Sequence, residues 1–141
     1  MRETPGLAPC AFLTIWNVRG EFLDMCMIQR SGDMLTASGA GGINEIQYAA
    51  LLMMIARHTG YKPGMFTHFV ANEQIYDRHL PVAYQMLTRA TVAETKAEID
   101  IVSPNLILNP DKTNFYDIVI DDFTMENYEP VKPQLKLELG I

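Results

Sequence analysis

The sequence predicts a single α+β domain of the α/β three-layer type, with a mixed β-sheet and a buried central helix. Two segments rich in β-forming residues, 11–18 and 22–28, flank the tight turn Arg19-Gly20-Glu21 and indicate a β-hairpin. Residues 44–58 are apolar on nearly all sides, which is typical of a helix buried on several faces. The strands predicted after this helix would join the hairpin in a mixed or antiparallel sheet.

The hairpin is followed by a loop, the helix and a long strand. Residues 36–42 (TASGAGG) are small and rich in glycine, so they predict a loop. Asn44 follows as the expected N-cap of the helix, and Gly60 is expected to end it. The sequence Lys62-Pro63-Gly64 predicts a turn, and residues 65–76 predict a long strand.

The rest of the chain alternates helix, strands and turns. Residues 80–89 predict a short helix. Segments 98–102 and 115–120 alternate polar and apolar residues, as half-buried strands do, and residues 105–114 are expected to join them through polar turns. No repeat or linker interrupts the sequence, so residues 1–141 are expected to form one domain.

Charge and composition limit the classes of function. The 141 residues carry a formal net charge of -6, and their Lys and Arg side chains are scattered singly. A nucleic-acid interface needs clustered cations, so the sequence predicts no DNA partner. A small anionic substrate is compatible with this balance, because one or two arginines suffice to bind a phosphate.

Hydropathy and cysteine usage bear on the compartment. The longest apolar segment, residues 49–56, is too short to span a bilayer, and the first residues lack the apolar region of a signal peptide. We therefore expect no membrane partner and a cytoplasmic location. In that reducing compartment, Cys10 and Cys26 are expected to be free thiols.

Cys10 is the candidate nucleophile. A free cysteine is usually packing material, and Cys26 fits that interpretation because it lies inside an apolar strand. Cys10 fits it less well, because it follows Pro9 at the start of a strand, and strand ends border active sites. The thiolate is the nucleophilic form, and it needs a cationic neighbour.

Arg30 is the candidate cation. Arg30 and Ser31 follow the second strand and can bind a phosphate together, although a lone pair of this kind is more often solvated. The Gly-rich loop that follows them in the sequence lacks the Gly-Lys-Ser/Thr sequence of a P-loop. His58, His68 and His79 are not at metal-ligand spacing, so no metal is predicted, and His68 is expected to be an interior or half-buried residue.

The landmarks of the chain occur in a specific order: Pro9-Cys10, two strands, Gln29-Arg30-Ser31-x-Asp33, an apolar helix led by Asn44, and Ile75-Tyr76-Asp77-Arg78-His79. Further landmarks are QYAALLMMIA at 47–56, GYKPG at 60–64, Asp122-Phe123 and Tyr128-x-Pro130. Together they resemble the thymidylate synthase family over about residues 5–141. The fold that the resemblance implies is that family's mixed sheet with a buried central helix.

The resemblance implies a role for each matching residue. Cys10 would be the thiolate that adds to C6 of the uracil ring. Arg30 and Ser31 would bind the nucleotide phosphate, and the arginine would also keep Cys10 ionised. Asp33 would help to order the nucleotide and the folate. Asn44 would hydrogen-bond the pyrimidine edge and select uracil over cytosine.

The resemblance also implies contacts with the sugar and the folate. Tyr76, together with Gln74, would hold the 3′-hydroxyl of the deoxyribose, and Ile141 would end a tail that closes over the bound folate. The implied reaction is the reductive methylation of dUMP to dTMP, with 5,10-methylenetetrahydrofolate as co-substrate and no metal. Covalent addition divides one difficult step into easier ones, and donors near O4 stabilise the charge that addition creates.

Three positions depart from the family's pattern. Ala11 replaces the histidine that commonly follows the nucleophile, and Gln74 replaces the histidine that usually accompanies the tyrosine. Gln74 can still hydrogen-bond a hydroxyl group. Residues 34–43 replace the usual Leu-Gly-x-Pro-Phe with a longer Gly-rich loop, so the folate-facing residues of that motif do not carry over.

Members of the family extend well beyond the N-terminal side of this cysteine, so the chain is expected to be N-terminally truncated relative to the family. The upstream part carries further phosphate-binding arginines, an acidic catalytic residue and part of the folate pocket. A fragment, a truncated reading frame and a reduced homologue would each explain the short segment before Cys10. The chain alone is therefore expected to be weakly active or inactive.

Two other functions are open at this point. One is a non-catalytic, truncated homologue that keeps the fold for binding or assembly. The other is a pyrimidine-nucleotide hydroxymethylase of the same family, in which water replaces the hydride, although Asn44 argues for a uracil substrate. A non-catalytic remnant would have no chemical reason to retain the full set of Cys10, Arg30, Ser31, Asp33, Asn44 and Tyr76.

The first strand has two partly apolar faces. One carries Phe12, Thr14, Trp16 and Val18, and the other carries Leu13, Ile15 and Asn17. Two apolar faces need two covers, which would be the buried helix and a partner chain. Since the family dimerises through a sheet face, we expect a homodimer.

Overall fold

The computed structural model describes residues 8–39, 42–96 and 103–138. The elements in chain order are β1 (Ala11–Arg19), β2 (Phe22–Gln29), β3 (Gly32–Asp33), α1 (Ile43–Thr59), β4 (Lys62–Val70), β5 (Glu73–Gln74), α2 (Leu80–Lys96), β6 (Asn105–Leu108) and β7 (Phe123–Glu126). Short 3-10 turns occupy Asp77–His79, Phe115–Asp117 and Ile120–Asp122. The fold class is α+β, as predicted.

The central sheet has three strands in the order β1-β2-β4. β1 and β2 form the predicted antiparallel hairpin, and β4 pairs with β2 in parallel, so the predicted mixed sheet is confirmed. The connection from β2 to β4 runs through α1, as a parallel crossover requires. Two smaller pairs complete the described structure: β3 with β5 in parallel, and β6 with β7 antiparallel.

The hydrophobic core lies between one face of the central sheet and α1. Its buried members are Leu23, Met25, Leu52 and Ala56, around which Trp16, Tyr48, Ile55 and Phe66 pack. In the described part of the chain, α1 is buried most deeply on the sheet side, while Ile43 and Ile46 are exposed. A surface groove of about 290 Å³ lies on the helix, lined by Gln47, Tyr48, Ala50, Leu51 and Met54.

The other face of the central sheet is apolar and exposed. Pairing places Leu13 and Ile15 of β1 on this face, opposite Ile28 and Cys26 of β2. Leu13, Ile15, Met65 and Phe69 are each 45–64% exposed. The predicted division of β1 into two faces is confirmed except at Phe12, which lies at a β-bulge.

The N-cap prediction was wrong. The helix starts at Ile43, so the N-cap is Gly42, whose φ of 63° lies in the left-handed region that favours glycine. Asn44 instead lies on the first turn, where its backbone N–H donates to the Ala37 carbonyl. The C-terminal prediction is confirmed, because Gly60 caps the helix with a φ of 81°.

The predicted turn at 62–64 was also wrong, because β4 begins at Lys62. The Lys62 N–H donates to the Glu21 carbonyl, so pairing with the hairpin overrides the turn preference of Pro63-Gly64. Proline is tolerated because β4 lies at the edge of the three described strands. The predicted strand over 65–76 ends early at Val70, and the short strand β5 follows separately.

Two predictions in the C-terminal region were wrong as well. Residues 105–108, expected within a connection, form β6, and residues 115–120, expected as a strand, form turns. Two side chains bond the backbone of these turns: the buried Asp122 Oδ2 accepts from Lys112 Nζ at 2.7 Å and from the Val119 N–H at 2.8 Å, and Asn114 Oδ1 accepts from the Tyr116 N–H at 3.4 Å. Helix α2 extends past the predicted 80–89, while the strand predicted at 98–102 lies outside the described residues.

Candidate active site

Three chain segments meet at one edge of the central sheet. Because β1 is antiparallel to β2 and β4 is parallel to it, the start of β1 lies beside the ends of the other two strands. The Arg30 N–H donates to the Cys10 carbonyl at 2.9 Å, and the Ala71 N–H donates to the Gln29 carbonyl at 2.9 Å. The strand directions therefore bring together residues that lie far apart in the sequence.

The side chain of Arg30 lies along the segment that precedes Cys10. Its Nε donates to the Pro9 carbonyl at 3.3 Å, and its Nη2 donates to the Ala8 carbonyl at 2.8 Å. A guanidinium has five N–H donors in one plane, so these two contacts fix its direction while its remaining donors can face an anion. Arg30 is exposed and Cys10 is half-buried, so an anion can reach this edge of the sheet.

Asp33 holds the turn that follows Ser31. Its Oδ1 accepts from the Leu35 N–H at 3.2 Å, and its Oδ2 accepts from the Thr36 hydroxyl. Its carbonyl accepts from the backbone N–H groups of residues 37 and 38. In this structure the Asp33 carboxylate therefore shapes the start of the Gly-rich loop, while Ser31 is half-buried beside Arg30.

A buried glutamine connects this turn to α1. Gln29 ends β2 and is fully buried. Its Nε2 donates to the Ser31 carbonyl at 2.7 Å and to the Ser38 hydroxyl at 3.3 Å. Its Oε1 accepts from Asn44 Nδ2 at 3.2 Å. The half-buried Asn44 amide is thereby held at the same edge as Arg30 and Ser31, which follow β2.

His68 and Glu45 extend the network from β4 and α1. His68 Nε2 lies 3.2 Å from Gln29 Oε1, and His68 Nδ1 lies 2.8 Å from Glu45 Oε1. The side chain of His68 is 13% exposed, so the predicted interior or half-buried histidine is confirmed. Glu45 Oε1 also accepts from the Gly39 N–H at 3.2 Å, which ties the loop to the helix.

Gln74 and Tyr76 lie on the chain that leaves β4. Gln74 belongs to β5, which pairs with β3, and both residues are half-buried. The Tyr76 ring meets the His79 ring edge-to-face, with 5.7 Å between centroids. His79 is buried and its Nε2 contacts the Glu138 carbonyl at 2.7 Å, which holds the C-terminal tail near this segment. Ile141 lies outside the described residues.

Glu73 lies beside the polar network, and its ionisation is perturbed. Burial raises the pKa of the Glu73 carboxyl, and the nearby Glu45 carboxylate raises it further, while His68 opposes the rise. Gly32 leaves room for this side chain, because a Cβ at that position would collide with the Glu73 carboxylate and the Ser38 hydroxyl. Steric exclusion of a larger side chain therefore explains why a glycine lies at this position of the Gln29–Asp33 segment.

Gln29, Glu45 and Glu73 were given no role in the sequence analysis. The alternation of β2 contained a signal for the first of them, because Gln29 lies on the same face as Leu23 and Met27. A polar residue on a buried face is expected to have hydrogen-bond partners. Glu45 and Glu73 carry no comparable signal, since each is separated in sequence from its partners.

Two negative observations concern residues 8–39, 42–96 and 103–138. Over these ranges, no three His, Cys, Asp or Glu side chains are grouped so that they could hold a metal ion. Within the same ranges, neither α-helix combines the length and the apolar character needed to cross a bilayer.

Comparison with known proteins identifies the family. The sequence model of the family described as thymidylate synthase matches residues 2–141. The chain belongs to the thymidylate synthase family. The thymidylate synthase of Streptococcus pyogenes serotype M3 is 49% identical over 144 residues, and that of Lactococcus lactis subsp. cremoris is 48% identical over 145 residues. The resemblance inferred from the landmarks of the sequence is therefore confirmed at the level of the family.

The lengths of the relatives differ from that of this chain. Each of these two alignments covers 99% of this chain but 48% of the relative, so the chain spans about half the length of the curated thymidylate synthases it matches. The solved structure of thermostable thymidylate synthase A from Bacillus subtilis matches with a TM-score of 0.72 and 32% identity. That match covers 92% of this chain and 42% of the Bacillus chain, and it confirms the fold.

Replacing Glu73 by glutamine is expected to stabilise the fold at neutral pH. A raised pKa means that the folded state binds the proton more tightly, so the ionised carboxylate lowers stability once the pH exceeds the usual glutamate range. Below that range both states are protonated and the effect vanishes. At pH 7 the gain should be less than about 1 kcal/mol, because the side chain is partly exposed and solvent screens it.

Urea unfolding of Glu73→Gln at pH 7 and at about pH 3, below the usual glutamate range, measures this difference. Glu21→Gln is the matched control, because Glu21 is an exposed glutamate whose partner is Lys62. An equal gain at both pH values, or a loss at neutral pH, would contradict the assigned cause.

Proposed function

We propose that this chain carries the nucleophile and the nucleotide-binding residues of a thymidylate synthase, which converts dUMP to dTMP by reductive methylation with 5,10-methylenetetrahydrofolate. The proposed reaction is inferred from membership of the thymidylate synthase family. The observation that supports the site most directly is the pair of contacts from the Arg30 guanidinium to the Pro9 and Ala8 carbonyls. These contacts bring a cation to the segment that presents Cys10.

Cys10 is the proposed nucleophile. Its thiolate adds to C6 of the uracil ring, which makes C5 nucleophilic and able to accept a one-carbon unit from the folate. Arg30 favours the ionised thiol, because a neighbouring cation stabilises a thiolate. The addition places negative charge on O4 of the ring, where the amide of Asn44 would donate a hydrogen bond.

Arg30 and Ser31 are the proposed phosphate ligands. The guanidinium uses two donors on backbone carbonyls and can direct others to a dianion, while the neighbouring hydroxyl adds one more donor. The chain carries a net charge of -6, so attraction of a phosphate depends on such a local cation rather than on the overall charge.

The sugar and folate contacts are proposed on family grounds. Gln74 and Tyr76 would bind the deoxyribose hydroxyl from the segment after β4. Asp33 would act by shaping the loop that faces the nucleotide and the folate, since its carboxylate is already engaged within the turn. Ile141 would end the tail that closes over the folate. We place this reaction in the cytoplasm, where Cys10 and Cys26 would stay free.

A non-catalytic role in nucleotide binding or assembly is the second candidate. The chain covers 48% of the length of its curated relatives. A hydroxymethylase of the same family would use the same cysteine and arginine but deliver water in place of hydride. Uracil selection by Asn44 favours the methylating enzyme over one that acts on cytosine.

We also propose a homodimer, assembled through the exposed apolar face of the central sheet. Leu13, Ile15, Met65 and Phe69 form this face. An apolar patch of this kind on a sheet is normally covered in the native assembly.

Arg30→Ala is expected to weaken binding of dUMP by about ten- to a hundredfold and to leave binding of deoxyuridine nearly unchanged. A charge-assisted hydrogen bond is worth about 1.5–3 kcal/mol, and deoxyuridine lacks the phosphate that receives it. Calorimetric titration of both ligands measures the effect. Arg19→Ala is the matched control, because Arg19 is exposed and bonds to Asp24 at the far end of β1. Equal losses for both ligands would exclude the phosphate role.

Alkylation is expected to modify Cys10 before Cys26, and dUMP is expected to slow that modification. Peptide mass spectrometry after limited iodoacetamide treatment measures both rates. Because a partner chain would also shield Cys26 on the open sheet face, protection of Cys10 by dUMP is the deciding observation. Faster labelling of Cys26, or no protection by dUMP, would count against Cys10 as the nucleophile.

A 5-fluoro analogue of dUMP extends this test from binding to catalysis. With the folate present, an active chain should form a covalent adduct on Cys10, because fluorine cannot leave as a proton would. Intact mass should show one nucleotide and one folate per chain, and Cys10→Ser should abolish the adduct. Protection without an adduct would support the non-catalytic binding role.

Sedimentation is expected to give a species of twice 15.9 kDa at micromolar concentration. Phe69→Glu should shift it to the monomer, because a carboxylate would be buried without a partner in the interface. Tyr84→Glu is the control, since Tyr84 is also exposed, at 67% against 58% for Phe69, but lies on α2. A monomer in the unsubstituted chain would refute the proposed dimer.

A further inference from the structure

The orientation of the Gln29 carboxamide is fixed by its neighbours. Its nitrogen lies 2.7 Å from the Ser31 carbonyl, and a backbone carbonyl can only accept. The amide oxygen must therefore face the other way, where it meets Asn44 Nδ2 and His68 Nε2, each at 3.2 Å. Full burial leaves no water to replace these partners.

The orientation of Asn44 follows from that of Gln29. Since Gln29 presents an oxygen, Asn44 must present its NH2 group, and its own oxygen points elsewhere. A reversed Asn44 amide would bring two oxygens into contact. Uracil offers an N3–H donor beside the O4 acceptor, whereas cytosine offers an N3 acceptor beside an amino donor. An amide held in one orientation can match only one of these two patterns.

His68 and Glu45 hold the other side of Gln29. His68 faces an acceptor at each ring nitrogen: Gln29 Oε1 at Nε2 and Glu45 Oε1 at Nδ1. Gln29 Oε1 can only accept, so its 3.2 Å contact is a hydrogen bond when Nε2 carries the hydrogen, and the 2.8 Å contact then needs a second hydrogen between Nδ1 and the Glu45 carboxyl group. The neighbouring Glu73 carboxylate adds negative charge near the same ring.

We propose that His68 and Glu45 are positioning residues, which hold the Gln29 carboxamide and, through it, the Asn44 amide in the single orientation that selects uracil over cytosine. The selection step rests on the proposed function, in which Asn44 meets the pyrimidine edge. The positioning step does not, because it concerns only contacts within this chain.

The positioning step is tested by the exchange of the Asn44 side-chain amide protons with water, followed by NMR. His68→Phe keeps a flat ring beside Phe66, with which His68 is stacked at 6.2 Å between centroids, but removes both nitrogens. Glu45→Met removes the acceptor, whereas Glu45→Gln retains one. Exchange should accelerate about tenfold in the first two variants and change little in the third, because only the first two lose a hydrogen bond.

Backbone amides of β2 report whether any change is local. The proposal requires that they keep their protection while the Asn44 side chain loses it. Uniform loss over β2 and Asn44 would mean that the pair merely stabilises the fold, and it would overturn the proposal, as would unchanged exchange at Asn44. If His68→Phe fails to fold, the comparison of Glu45→Met with Glu45→Gln decides alone. Glu21→Met is the control for loss of an exposed carboxylate.

The selection step is tested by protection of Cys10 from alkylation with dUMP and with dCMP. In the unsubstituted chain and in Glu45→Gln, dUMP should protect at lower concentration. In His68→Phe and Glu45→Met the ratio of the two protecting concentrations should fall about tenfold. An unchanged ratio in variants whose Asn44 exchange is faster would overturn the selection step. If neither nucleotide protects the unsubstituted chain, the proposed function and the selection step both fail, and the exchange measurement still decides the positioning step.

Discussion

The pairing of β2 with a neighbouring strand on each side is the constraint on which the rest of the structure depends. An antiparallel neighbour on one side and a parallel neighbour on the other place the start of β1 and the ends of β2 and β4 at a single edge. Cys10, Arg30 and the segment after Val70 are adjacent for this reason. The inward face of β2 supplies half of the core, and it ends in a glutamine rather than another apolar residue.

Burial of that glutamine divides the site into two parts of different character. A carboxamide away from water is costly unless each of its groups is bonded, and Gln29 meets this requirement through partners on the turn, on α1 and on β4. This part of the site is therefore rigid. Arg30, in contrast, is exposed, and its two contacts with backbone carbonyls leave other donors of the guanidinium facing solvent. A buried, fully bonded polar network therefore lies beside an exposed guanidinium.

Two apolar surfaces remain on the described structure outside this site. One is the open face of the central sheet, and the other is the groove on α1 lined by Tyr48, Leu51 and Met54. The curated relatives are about twice as long as this chain. The first surface extends across all three strands of the central sheet.

Sequence alone determined the features that depend on neighbours within a few residues. Alternation and glycine placement located the hairpin, α1 and its C-cap to within about one residue. The order of the landmarks was enough to indicate the family, and the resemblance to that family paired Arg30 with Cys10. The division of β1 into two faces also followed from its period of two.

Only the tertiary structure decided the features whose hydrogen-bond partners are distant in sequence. Lys62-Pro63-Gly64 has the composition of a turn, but pairing with the hairpin makes it a strand. Residues 115–120 alternate like a strand, but the side chains of Asn114 and Asp122 accept from the backbone N–H groups of Tyr116 and Val119 in two turns. The network around Gln29 joins residues up to 39 positions apart. Asn44 donates to Gln29 in this network and is not the N-cap of α1 that the sequence predicted. Local patterns carry no information about which distant group will satisfy a buried donor or acceptor, so these outcomes required the folded chain.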